Sequence, residues 1–115
     1  MRIMNRKDFL LLPENVVFSK FEPCFFRDLM IKGGTILDDA GIGIDFYAQQ
    51  INDAVECDNS GMFADILFSA VETGSSFEMD FDCQGRDGMF EEKQLFAVWE
   101  RKDILKLVKR LIECV

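Results

Sequence analysis

Carboxylates are the side chains of this 115-residue chain whose spacing could support chemistry, and they crowd the segment from Phe77 to Trp99. In its first part, acidic residues alternate strictly with apolar ones, which is typical of a strand with one dry and one wet face. Carboxylates on one surface can attract a basic protein, coordinate a cation or act as general acids and bases. The residues concerned are Glu78, Asp80, Asp82, Asp87 and Glu91.

A calcium site is the sharpest of these alternatives. Asp80, Asp82, Gly85 and Glu91 occupy positions 1, 3, 6 and 12 of an EF-hand loop. Two further positions of the pattern fail, since Gln84 replaces the short acidic or amide residue at position 5 and Asp87 occupies the usually apolar position 8. The loop also follows a predicted strand rather than a helix. We therefore favour a hairpin with an acidic outer face, and predict neither a metal nor a cofactor.

Enzymatic chemistry has few residue types to draw on. The chain has no histidine, which removes the commonest general base and the usual imidazole ligand of zinc. The four cysteines are scattered singly, and we expect small buried thiols in a reducing cytosol. They are Cys24, Cys57, Cys83 and Cys114. We predict a protein that is not an enzyme; the remaining enzymatic alternative is carboxylate catalysis by Asp45, Asp80 and Asp82.

Charge is distributed unevenly along the chain. Residues 38–100 carry 15 acidic and two basic groups, a net of -13, whereas residues 1–37 and 101–115 have net charges of +2 and +3. An acidic surface repels phosphate backbones, so direct binding of nucleic acid is not expected. The same field attracts a basic protein and speeds its encounter. The alternative is that the acidity only keeps a Phe-rich domain soluble.

Targeting signals are not evident in the sequence. The apolar run from Phe9 to Leu12 is shorter than the core of a signal peptide and stops at Pro13. No window approaches the ~18 apolar residues of a membrane span. A cytoplasmic location without membrane contact is therefore the expectation.

The elements that must position the carboxylates follow from periodicity and capping. Length and composition indicate a single α+β domain over residues 1–115, with helices packed on a mostly antiparallel sheet of about five strands in the order αβββαββα. Asn5 and Pro13 delimit a short helix, and Asp58 and Gly74 delimit a longer one. The predicted strands are 16–23, 25–34, 41–50, 77–83 and 94–99, and the last helix covers 100–115. The strands 77–83 and 94–99 form the predicted hairpin, and 94–99 is apolar at both parities, which predicts a central strand covered on both faces.

Three expectations concern burial. In the strand 41–50, Ile42, Ile44 and Phe46 share the dry face. The helix before Gly74 is apolar on most sides, so it is either sandwiched in the core or forms a self-association surface. The last helix is amphipathic, and its apolar face should pack on the sheet. Its basic face carries Lys102, Lys106, Lys109 and Arg110.

The sequence also resembles two known groups of proteins. The runs LPENVVFSKFEPCFF (12–26) and FDCQGRDGMFEEKQLFAVWE (81–100) resemble a family of short uncharacterised proteins of phages and bacterial prophage regions. That likeness implies a setting in which small acidic proteins act by occupying another protein. The predicted element order is also similar to that of the type III secretion chaperones, which are small, acidic and dimeric.

The sequence thus predicts a non-enzymatic binding protein whose acidic sheet face engages a basic partner protein. Its contact residues would be Glu78, Asp80 and Asp82, with Asp87 and Glu91 beside them. A chaperone-like homodimer that binds an unfolded segment is the alternative.

Overall fold

The computed structural model describes residues 1–115 as an open six-stranded antiparallel sheet with three helices, which confirms the predicted α+β class. The sheet order is β1-β6-β2-β3-β4-β5. The strands are β1 (Arg2–Asn5), β2 (Val16–Glu22), β3 (Phe25–Leu37), β4 (Gly43–Gln50), β5 (Gly85–Arg86) and β6 (Leu95–Val98). The helices are α1 (Arg6–Leu10), α2 (Ser60–Thr73) and α3 (Arg101–Ile112).

The strand β6 lies inside the sheet, as its continuous apolar run predicts. Its Val98 pairs with Arg2 of β1 on one side and with Phe18 of β2 on the other. Neither β5, which lies in the link between two predicted strands, nor β1 was predicted from the sequence. The strand β1 is only four residues long and contains Arg2 and Asn5, so it has too little apolar alternation to be recognised.

The core forms where α1 lies on the sheet. Asn5 caps this helix as predicted, because its side chain accepts a 2.8 Å hydrogen bond from the Asp8 N–H. The cap fixes α1 so that Phe9 stacks on Phe96 of β6, with ring centroids 3.9 Å apart. Both rings are fully buried in an aromatic-rich cluster. The cluster contains Phe9, Leu10, Phe18, Met30, Phe46, Phe96 and Val98.

The predicted hairpin between residues 77–83 and 94–99 is wrong. Met79 forms only an isolated bridge with Val55, and β6 takes β1 and β2 as neighbours instead. The edge of the sheet beyond β4 is filled by the two-residue strand β5. Alternation indicates which face of a segment is wet, but it carries no information about the partner strand, and this prediction fails for that reason.

The helix α2 has the predicted ends, with Asn59 as N-cap and Gly74 in the left-handed conformation (φ +69°) at its C-terminus. It has no buried residue, so the prediction that it is sandwiched in the core is wrong. Phe68 and Val71 are 70% and 85% exposed. The exposed position of α2 is compatible with the alternative, in which this helix forms a self-association surface.

The helix α3 begins at a capping box formed by Glu100 and Asp103. The Met1 ammonium contacts both carboxylates, at 2.9 and 2.6 Å, and ties this first turn to β1. Farther along, the expected packing of the apolar face on the sheet is largely absent. Leu105 and Ile112 are 53% and 66% exposed, and no residue of α3 is buried.

The two outer helices make the molecule extended. Its Cα radius of gyration is 16.2 Å, whereas a compact domain of this length has about 13 Å. No helix is both long and apolar enough to cross a membrane.

The expectation of buried cysteines is also wrong. Cys24, Cys83 and Cys114 are exposed, and Cys57 is half-buried. Small thiols fill a core only where a strand or helix carries them inward, and three of these lie in turns or near the end of α3.

Candidate functional site

A buried ion-pair network occupies the junction of α1, β4 and the segment after β5. The Asp45 carboxylate is fully buried, accepts a 2.6 Å hydrogen bond from Arg86 Nε and lies 3.9 Å from the Arg6 guanidinium. The N–H of Gly88 donates to the same carboxylate.

The sequence places Ile42, Ile44 and Phe46 on the dry face and Asp45 on the wet one. Phe46 is buried as predicted, but Asp45 is buried too, and Ile42 and Ile44 are exposed, so these parts of the prediction are wrong.

Two opposed effects set the pKa of Asp45. Burial raises this pKa, but hydrogen bonds from Arg86 and from the N–H groups of Phe46 and Gly88 outweigh it, so the pKa lies below its usual value. The carboxylate is therefore held in its charged form by Arg86 and by two backbone N–H groups. A buried carboxylate that is neutralised in this way stabilises the fold. Asp45 is therefore no longer a candidate for the alternative of carboxylate catalysis.

Asp87 belongs to the same network. Its carboxylate lies 2.6 Å from Lys20 Nζ and 4.0 Å from Arg6, and its side chain is only 8% exposed. The prediction that Asp87 lies on an exposed acidic face is therefore wrong. The sequence gives no warning, because Lys20 is far away along the chain and reaches Asp87 only after the sheet has formed.

An open groove lies on one side of α2, and we call it the acidic groove. Its volume is about 710 Å³, and carboxylates outnumber every other kind of side chain along it. They are Glu56, Asp58, Asp65, Glu78 and Asp80. Between them, Met62, Ile66 and Phe77 supply an apolar floor.

Backbone pairing builds the acidic groove. The bridge between Val55 and Met79 joins the two ends of the segment that contains α2. Around it, the Glu56 N–H donates to the Glu78 carbonyl at 2.9 Å, and the Asp80 N–H donates to the Ala54 carbonyl at 2.7 Å. The two segments therefore run side by side and bring Glu56 next to Glu78. The helix α2 adds Asp65 between Met62 and Ile66 in sequence, so its carboxylate borders the apolar floor.

The carboxylates of the acidic groove are uncompensated. None of them forms an ion pair, and residues 56–80 contain no Lys or Arg. Twelve of the 15 carboxylates in residues 38–100 are likewise outside ion pairs; only Asp45, Asp87 and Glu100 have a cationic partner within 4.0 Å. Unpaired like charges close together produce a field whose contributions add.

The five predicted contact residues therefore lie in four different places. Glu78 and Asp80 lie in the acidic groove. Asp82 is exposed next to it, and its N–H donates to Asp80 Oδ1 at 2.9 Å. Asp87 is internal, and Glu91 lines a different pocket. Glu56, Asp58 and Asp65 were not predicted from the sequence, because only the Val55–Met79 bridge and the helical period bring them to the same place.

A second cavity, of about 550 Å³, lies between β4 and the segments around Val55 and Arg86. Gln49 of β4 lines it and is 4% exposed. Its Nε2 donates to the Gln50 and Asp80 carbonyls, whereas its Oε1 has no donor within the protein. This oxygen can accept a hydrogen bond from a donor group that enters the cavity.

The loop expected for a calcium site has a different geometry here. Gly85 lies in β5 and pairs with Ala48, whereas the glycine of this loop that has a positive φ is Gly88. No group of three or more carboxylate, thiol or imidazole side chains is arranged to hold a metal ion.

No family model, curated protein or solved structure matches this chain.

Proposed function

We propose that this protein is a non-enzymatic binding module whose acidic groove takes a basic amphipathic helix of a partner protein. The observation that carries the proposal is the combination of five unpaired carboxylates with an apolar floor in one groove. A basic amphipathic helix is complementary to both features, since its apolar stripe covers the floor and its Lys or Arg residues face the carboxylates.

The charges of the acidic groove increase the rate and the specificity of association more than they increase the affinity. Residues 56–80 carry six acidic and no basic groups, so an approaching basic helix is attracted from about a Debye length away, roughly 8 Å at physiological salt. The exposed carboxylates stay hydrated until a partner binds, so little desolvation energy opposes the first encounter. The affinity then depends on Met62, Ile66 and Phe77, whose apolar surface leaves water on binding.

The test uses the full chain and a synthetic Leu/Lys peptide that forms an amphipathic helix. Titration at about 50 mM and about 500 mM salt should show binding that weakens as salt screens the charges. A peptide of the same composition in scrambled order should bind more weakly, because it has no apolar stripe to cover the floor. Equal binding of both peptides, or binding that does not respond to salt, would refute the proposal.

A second candidate is the chaperone-like dimer, and the exposed pair Phe68 and Val71 favours it. These residues lie about a helical turn apart on the side of α2 that faces away from Met62 and Ile66. An unfolded apolar segment or a second α2 could cover them. A Phe68→Ser/Val71→Ser double variant that keeps its fold but loses binding of an unfolded apolar peptide would favour this candidate over the first.

A further inference from the structure

We propose that the occupant of the acidic groove in the free protein is α3 of a second copy of this chain, so that two copies associate by exchanging these helices. The inference rests on the proposed function, because it assigns the partner of the same groove. It follows from two surfaces that the fold leaves uncovered, that both contain exposed apolar side chains and that carry charges of opposite sign.

The first surface is the outer stripe of α3. Leu105, Val108 and Ile112 are spaced at i, i+3 and i+7, which places them on one side of the helix, and they are 53%, 46% and 66% exposed. Lys102 and Lys109 follow this stripe along one of its edges. The region 101–115 has a net charge of +3. The helix α3 is therefore the kind of ligand for which the acidic groove is suited.

The second surface is the groove itself. Its apolar floor of Met62, Ile66 and Phe77 is open to solvent, since Met62 and Phe77 are 42% and 40% exposed. Its rim has the opposite charge to α3. Neither α2 nor α3 packs along its length against another element of the same chain, so both remain available to a second copy.

Reciprocity favours a closed dimer. Each copy carries one acidic groove and one α3, so two copies related by a two-fold axis can satisfy both contacts at once, and none is left open. In this state the groove is masked. A basic helix of another protein then has to displace α3, which makes the binding of that protein competitive with self-association.

Charge reversal with complementation tests the exchange on the full chain. Sedimentation of the unaltered protein should show a species of twice the 13.2 kDa monomer mass. A groove variant, Asp65→Lys/Glu78→Lys, and a helix variant, Lys102→Glu/Lys109→Glu, should each lose this species, because each sets like charges opposite one another. Mixing the two variants should restore it, since every α3 then meets a groove of opposite sign.

Matched controls separate this contact from others. Arg110 lies on the far side of α3 from Leu105 and Val108, and Val71 lies on the far side of α2 from Ile66, so Arg110→Glu and Val71→Ser should leave the dimer unchanged. Monomeric unaltered protein, failure of the mixture to reassociate, or loss of the dimer in Val71→Ser would overturn the inference.

The two proposals can fail separately. If the unaltered chain is monomeric yet binds the Leu/Lys peptide in a salt-dependent way, the groove recognises basic helices but α3 is not its occupant. If the chain dimerises, the groove and helix variants do not affect the dimer, and the peptide does not bind, both proposals are wrong.

Discussion

The Asp45 carboxylate, which solvent does not reach, accepts a 2.6 Å hydrogen bond from Arg86, whose side chain is 48% exposed. The pair joins β4 to β5, the strand at the edge of the sheet. Arg6 adds a second cation from α1, at 3.9 Å. One buried charge thus connects the first helix of the chain, the sheet and the segment that follows the acidic groove.

Neutralising Asp45 should destabilise the fold. Asp45→Asn leaves the buried Arg6 without its nearest anion, and breaking a buried pair in this way lowers the free energy of unfolding by about 3 kcal/mol. Urea denaturation measures the loss. Asp39→Asn is the control, because Asp39 is exposed and forms no ion pair, and its effect should stay within about 0.5 kcal/mol. Equal effects of the two substitutions would contradict the role given to the network.

The contribution of Asp45 should also depend on pH. Its pKa in the folded state is lowered, so the stabilisation is fully present above the unfolded pKa of about 3.9 and disappears as the pH falls through the folded pKa. The difference in unfolding free energy between the unaltered chain and Asp45→Asn should therefore be constant near neutrality and shrink on acidification. Urea midpoints at several pH values test this, and a difference that persists at the lowest pH would contradict it.

Among the 12 phenylalanines, burial should separate those that stabilise the fold from those that do not. Phe9→Ala removes a fully buried ring stacked on Phe96, and should lower the free energy of unfolding by about 3–5 kcal/mol. Phe68→Ala removes a ring that is 70% exposed, and should change it by less than about 1 kcal/mol. Thermal or urea unfolding of the two variants gives the comparison, and similar losses would argue against α1 as the cover of the core.

Asp87 and Glu78 should have separable effects, although the sequence groups them together. Asp87→Asn removes the anion that Lys20 contacts at 2.6 Å, so it should lower stability and leave binding of the Leu/Lys peptide unchanged. Glu78→Gln removes an exposed groove carboxylate, so it should weaken peptide binding and leave the urea midpoint unchanged. The reverse pattern would show that binding uses the network rather than the acidic groove.

Local chemistry made several elements of this fold predictable. Asn5, Asn59 and Gly74 mark helix ends through caps that involve only neighbouring residues, and the structure has those ends. The apolar run of β6 indicates an interior strand, which β6 is. Such signals depend on a few consecutive residues, so they can be read without knowledge of the rest of the fold.

The failures arise where distant residues decide the outcome. Alternation in 77–83 predicts a strand but not that its partner is the short segment around Val55. Asp45 and Asp87 are acidic residues next to apolar ones, and nothing local indicates that Arg6 and Lys20 neutralise them. The acidic groove was half predictable for the same reason. Glu78 and Asp80 are evident in the sequence, whereas Glu56 and Asp65 join them only through tertiary structure.

The proposed function requires that the carboxylates of the acidic groove act together on a basic helix, and not merely as part of the net charge of -8. The most direct measurement compares the affinity of the Leu/Lys peptide for two full-chain variants at low salt. Asp65→Asn/Glu78→Gln removes two charges from the groove, and Asp39→Asn/Glu92→Gln removes two exposed charges elsewhere. We predict that only the groove variant weakens binding, by about tenfold if each lost contact contributes about 0.7 kcal/mol. Equal weakening by both variants would contradict the claim and leave the acidity as a general property of the surface.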